Sequence, residues 1–267
     1  MPDNRSAKPL GLAVAAALAL AATAHAATVK VTVHVQSLVQ PNSVSFAPLH
    51  FGFNSGTFDA FNNGQTAGAP IVTIAEGGSG SAWIPAFAAA DPGAVIGAVP
   101  GALLPGASAS SMSFLVDSKV NPYFTFAGMV IPSNDFFIGN DDPTQYRLFD
   151  NSGNQLINAI VLSTDDIWNA GSEKFNPLNA AFLKIGNNAL RDPENGVVGF
   201  NFAELAGFDG LETAAGYTFL SGLRANTDIY RITFSSEVVP EPAVWSMLIV
   251  GLFGVGLVAR RRRTAAA

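Results

Sequence analysis

Two oxygen-rich segments carry most of the chemistry this sequence offers. Pro132-Ser133-Asn134-Asp135-Phe136-Phe137-Ile138-Gly139 follows a β-type run, and Ile167-Trp168-Asn169-Ala170-Gly171-Ser172-Glu173 follows the second arm of a hairpin. If the segment between them packs as a hairpin, its outer ends fall side by side. Asp135, Asn169 and Glu173 then present hard oxygens from two loops at one end of a sandwich. Ca2+ takes about six to eight such ligands. Two carboxylates and an amide supply about two negative charges, so backbone carbonyls and water have to complete the shell. On the residues alone, the competing reading is ordinary loop capping by Asp and Asn.

Other chemistries find little footing. The chain has no cysteine, hence no thiolate ligand, thiol nucleophile or disulfide framework. His34 and His50 lie in different elements without a metal-ligand spacing, and His34 reads as a strand-surface side chain. No Gly-x-Ser-x-Gly elbow or phosphate loop occurs, and Glu76-Gly77-Gly78-Ser79-Gly80 reads as a flexible turn. Asp141-Asp142 and Asp165-Asp166 suggest paired acids for glycoside cleavage, but neighbours on an extended chain point to opposite faces, so they read as solvated turn residues. Residues 27–239 hold 18 acidic and 8 basic side chains, net −10. Such a body lacks the basic footprint of a nucleic-acid binder and suits a protein that meets cations.

Short strands must position these groups. Residues 29–35, Val-Lys-Val-Thr-Val-His-Val, alternate with a period of two, burying the valines and turning Lys30, Thr32 and His34 outward. Further β-type runs are 113–116, 123–131, 146–149, 157–162, 197–202 and 229–234, separated by Gly, Pro, Asn and Asp clusters. Asp150-Asn151-Ser152-Gly153 is a turn, with Gly153 supplying positive φ. Helix is confined to 66–76 and a turn at 202–208. The Ala-, Gly- and Pro-rich stretch 82–106 reads as a long surface connection. Phe46, Phe51, Phe53, Phe58 and Phe61 form an aromatic group expected in the core. Together these give an all-β chain, an antiparallel β-sandwich in one domain over 27–238.

Both ends read as addresses. Arg5 and Lys8 precede an apolar run over 10–22 and then Ala24-His25-Ala26, a secretory leader cut after Ala26, over 1–26. At the other end Pro240-Glu241-Pro242 leads into residues 243–259, which carry no charge, and then Arg260, Arg261, Arg262 and Arg263. As a helix that stretch reaches about 26 Å, near the lower limit for a membrane span. The four arginines place the C-terminus in the cytoplasm. Residues 239–267 resemble the PEP-CTERM sorting signal of Gram-negative bacteria. That resemblance implies processing by an exosortase-type enzyme, transient anchoring in the inner membrane, and export to the cell surface or matrix.

The body resembles the spondin N-terminal domain. The carrying residues are Met129 followed by Pro132-Ser133, Asp135, an aromatic and Gly139, and then Trp168-Asn169-Ala170-Gly171-Ser172-Glu173. Phe58, Phe61, Gly64, Ala67, Ala75-Glu76-Gly77-Gly78 and Pro105-Gly106 add to it. The resemblance implies an antiparallel sandwich and, as in animal members, a calcium ion held by three acids at the positions of Asp135, Asn169 and Glu173. Asn169 departs from the usual Asp, so one formal charge is lost and weaker binding is expected.

The expected protein is therefore a non-enzymatic, secreted surface or matrix component that binds calcium and engages surface or exopolysaccharide components in adhesion. Two alternatives stand beside it. One is a secreted carbohydrate-active enzyme using acids among Asp135, Asp165, Asp166 and Glu173; the other is an ion-free structural protein associated with exopolysaccharide.

Overall fold

The computed structural model describes residues 28–239. The leader read over 1–26 and the sorting signal read over 239–267, Val239 excepted, lie outside the described residues. Among the described residues no helix is long and apolar enough to cross a membrane.

The expected all-β, antiparallel, sandwich-like character is present. The strands are β1 (Thr28–Ser37), β2 (Ser45–Phe46), β3 (Leu49–Asn54), β4 (Val95–Val99), β5 (Ser108–Asp117), β6 (Tyr123–Ile131), β7 (Phe136–Gly139), β8 (Ala159–Ser163), β9 (Ile167–Asn169), β10 (Gly199–Phe200) and β11 (Asp228–Val238). One sheet runs β5-β1-β11-β8, the other β10-β9-β7-β6-β3-β4 with β2 also on β6, and every pairing is antiparallel.

Strand β1 behaves as its alternation requires. Val29, Val31, Val33 and Val35 are buried, each contributing roughly 2 kcal/mol. On the other face His34 hydrogen-bonds Ser110 and Ser235 across the two neighbouring strands, at 2.7 and 3.0 Å. Between the sheets the β1 valines and Ile232 and Phe234 of β11 share a core cluster with Phe51, Phe53, Phe124 and Phe126.

The second sheet is covered on both faces, which is why β3 and nearly all of β6 are buried residue after residue. Its outer face packs under α1 (Ala69–Gly77) and α2 (Trp83–Ala90), where Ile71, Ile74, Trp83 and Phe87 meet Phe58, Phe61, Phe137 and Trp168. All five phenylalanines expected in the core are buried.

Several expectations need correction. The stretch 82–106 is not a surface connection: it holds α2, with Trp83 and Phe87 at 0% exposure, and β4 on the edge of the second sheet. Residues 146–149 form no strand, because Arg147 and Phe149 each bridge a different partner, Tyr123 and Gln155. The run 197–202 shrinks to the two residues of β10.

The Gly-rich turn after Glu76 is a tightly packed helix end rather than a flexible one. Gly78 sits at φ 63° and donates to the Ile74 carbonyl at 2.7 Å, and a Cβ there would come within 2.8 Å of Ala47 Cβ.

The hairpin logic for the site holds in outcome and differs in route. The Asp150 to Gly153 turn forms, with Asp150 Oδ1 accepting from Ser152 and Asn154 N–H, and Gly153 at φ 86°. Strand β8 then crosses to the first sheet beside β11, and β9 returns to pair with β7, setting Phe136 opposite Asn169.

Candidate metal centre

Asp135 is the last residue before β7 and Asn169 the last of β9, so their pairing puts the two side chains together. The loop before Asp135 is fixed locally. Ser133 Oγ donates to the Val130 carbonyl at 2.5 Å and accepts from Phe136 N–H at 3.1 Å, while Asn134 exchanges two hydrogen bonds with the Asn176 backbone. Across the strand pair, Trp168 donates its indole N–H to the Gly139 carbonyl at 3.0 Å and packs against Phe61 and Phe200. Beyond Asn169, Gly171 turns the chain at φ 64°, and a Cβ there would lie 2.7 Å from the Val197 backbone N and O. Only glycine fits both the conformation and the space.

That turn wraps the next residues around Asp135. Its Oδ1 accepts from Asn169 Nδ2 at 3.1 Å; its Oδ2 accepts from the backbone N–H of Ser172 at 2.8 Å and of Glu173 at 3.0 Å. Its backbone carbonyl accepts from Ala170 N–H at 3.0 Å. The Asn169 amide is oriented without ambiguity, since its Oδ1 accepts from Gly171 N–H at 2.7 Å. A flipped amide would set two donors against each other.

Glu173 is in the opposite condition. It is 2% exposed, and neither carboxylate oxygen closes a hydrogen bond of regular geometry, although the Asp192 backbone N–H faces it. Arg191 Nε stands 3.8 Å from its Oε2 and 2.8 Å from Oε2 of Glu76, on the last turn of α1. Burial pushes the Glu173 carboxyl up to about 7; Arg191 and the Asp192 backbone N–H draw it down, and Glu76 and Asp135 add to the rise. Burial also lifts Asp135 to about 6, opposed by the N–H groups of Glu173 and Ser172 and reinforced by Glu204 and Glu76. Several carboxylates thus face one guanidinium.

The three expected residues are therefore brought together, in unequal roles. Glu173 offers two oxygens with no hydrogen bond of regular geometry, the condition a hard cation answers. Asp135 keeps spare lone pairs but is already well satisfied, and Asn169 turns its NH2 group toward it. Among the described residues no group of three or more His, Cys, Asp or Glu side chains is arranged to hold a metal ion. A shell here must draw on Asn169 Oδ1 and backbone carbonyls as well.

Neither Glu76, read from the sequence only within a turn and a resembling stretch, nor Arg191 was named there as a site residue. One signal was present: Arg191 is one of only 8 basic side chains among the 26 charged ones of residues 27–239.

The other candidates act as local structure. Asp166 accepts from Ser163 N–H at 2.7 Å, closing a capping box, and Asp142 accepts from Thr144 N–H and Oγ1, which holds its carboxyl below the usual range. Asp165 lines an open groove of about 450 Å³ with Phe200, Asn201, Phe202 and Ala203. His50 donates to the Gly78 carbonyl at 3.2 Å, and burial lowers its pKa. Compared with known proteins, the chain matches no family model and no curated protein.

Proposed function

We propose that this protein is an exported, non-enzymatic surface or matrix component, with a spondin-like sandwich carrying a calcium site at Asp135, Asn169 and Glu173. Adhesive contact with surface or exopolysaccharide components is its role. The observation that carries the cation reading is Glu173, a buried carboxylate with neither oxygen in a hydrogen bond of regular geometry, beside a second buried acid. An ionised carboxylate shut away from water needs a charge partner. Ca2+, when bound, supplies that charge; Glu173 and Asp135 hold it, and Asn169 Oδ1 can add a neutral oxygen. The export reading rests on the leader, Pro240-Glu241-Pro242, the uncharged stretch and the terminal arginines.

The test is the melting temperature of the purified full-length protein in mild detergent, first in chelator and then titrated with Ca2+ and Mg2+. A ligand at 100 times its dissociation constant adds about 2.7 kcal/mol to the folded state, which for a domain of this size raises the melt by about 5–10 °C. A calcium-selective rise is expected. A melt that ignores Ca2+ up to millimolar concentration overturns the cation reading.

A further inference from the structure

We infer that Glu76 is an additional carboxylate of this site and that Arg191 is its resident counter-ion, which a divalent cation must displace to bind. The inference rests on the cation reading above and assigns two residues that reading leaves out.

The geometry is specific. Arg191 Nε donates to Glu76 Oε2 at 2.8 Å and lies 3.8 Å from Glu173 Oε2, so one N–H edge stands between the two carboxylates. The rest of the guanidinium is tied to its own loop through the carbonyls of Asn188 and Leu190, and reaches the Glu76 carbonyl at 3.5 Å. That loop is clamped to the site: Glu173 bridges Pro193, Lys174 N–H donates to Asp192 and Glu194 N–H to Ser172. Glu76 is held from the other side by the Gly78 cap of α1, and its carboxylate is 14% exposed.

Charge then decides what the arrangement does. As the side chains stand, with Arg191 against Glu76 and Glu173, Asp135, Glu173 and Glu76 do not converge into a ready metal-holding group; ionised, they carry three negative charges and Arg191 returns one. The bond to Glu76 is a direct ion pair, whereas 3.8 Å to Glu173 is too long for a hydrogen bond. Arg191 therefore offsets part of the Glu173 charge without satisfying its oxygens. A divalent ion placed there gains what the guanidinium cannot give. It must also overcome repulsion from that guanidinium, whose side chain is 33% exposed, and break its bonds to Glu76 and to the Asn188 and Leu190 carbonyls. A cation about 5 Å away, at an effective dielectric between that of a protein surface and water, changes the affinity of a divalent ion by about tenfold or more.

Calorimetric titration of the full-length protein with CaCl2 alone tests this across wild type, Arg191→Gln, Arg191→Lys and the double variant Glu76→Gln/Arg191→Gln. Arg191→Gln is expected to bind about tenfold more tightly than wild type, and Arg191→Lys to stay near wild type. The double variant is expected to lose about tenfold relative to Arg191→Gln. If wild type binds and Arg191→Gln binds no more tightly, the counter-ion role is overturned while the cation site stands. If the double variant equals Arg191→Gln, Glu76 is no ligand. If no form binds calcium, both readings fall together. Should Arg191→Gln not fold, Arg191→Met keeps the apolar stem and takes its place.

Discussion

Replacing Glu173 by Gln should make the metal-free protein less sensitive to alkaline pH, and the size of the effect follows from the site. In the unfolded chain this carboxyl titrates at an ordinary 4.5; in the folded protein, burial lifts it to about 7. The folded state thus holds a proton that the unfolded state has released. Stability from this group is full below the unfolded value and is lost as pH rises through the folded one, between about 4.5 and 7. A displacement of that size corresponds to roughly 3 kcal/mol. The shell over Glu173 is made of loop backbone and one partly exposed arginine, so screening brings the figure down to about 2 kcal/mol.

The assay is thermal melting in chelator at pH 4.5 and pH 8. Wild type should lose more between the two than Glu173→Gln does, by about 4–8 °C, since each kcal/mol moves the melt of a domain this size by about 2–4 °C. Saturating Ca2+ should cancel the wild-type loss at pH 8 and leave the variant unmoved. Equal pH sensitivity of the two proteins in chelator would refute the view that burial raises the Glu173 carboxyl above its unfolded value.

Three further outcomes are expected. Asn169→Asp replaces a donor 3.1 Å from Asp135 with a like charge; it should destabilise the chelated protein at pH 8 by about 1–3 kcal/mol and tighten calcium binding, read by melting and calorimetry. Gly171→Ala forces a Cβ at φ 64° to within 2.7 Å of the Val197 backbone and should cost at least about 2 kcal/mol by chemical denaturation, with or without calcium. Trp83→Ala empties a fully buried site against Phe58 and Phe87 and should cost about 3–5 kcal/mol, where a surface connection would have cost little.

What the sequence made legible follows the physics of each segment. Strand β1 was readable because it has one buried and one wet face, so its alternation is intact. Strand β6 was readable as a nearly continuous apolar run, interrupted only by Thr125, the mark of burial on both sides. Helix α2 escaped because Trp83-Ile84-Pro85-Ala86-Phe87-Ala88-Ala89-Ala90 is apolar nearly all round and starts without a side-chain cap, leaving neither periodicity nor a start signal. Strand β4 escaped because its glycine serves packing. A Cβ on Gly97 would lie 2.3 Å from the Phe114 ring, so a residue that reads as a loop is the one that lets two strands approach. At the site, Asp135, Asn169 and Glu173 were readable from two local segments. Glu76 and Arg191 were not, since they are 115 residues apart in the chain and an ion pair leaves no periodic trace.

The two buried acids differ in what a cation at the proposed site would gain from each. Asp135 is hydrogen-bonded by the fold, an amide and two backbone N–H groups filling its oxygens, although burial still lifts its pKa to about 6. Glu173 has received less, facing the Asp192 backbone N–H and a guanidinium at 3.8 Å that is already committed to Glu76, with no hydrogen bond of regular geometry. A buried polar group left unsatisfied costs more than a satisfied one contributes. On the proposed reading, an ion's binding energy would come chiefly from relieving Glu173, with Asp135 as a secondary ligand, and the strength of binding would depend on how readily Arg191 gives way.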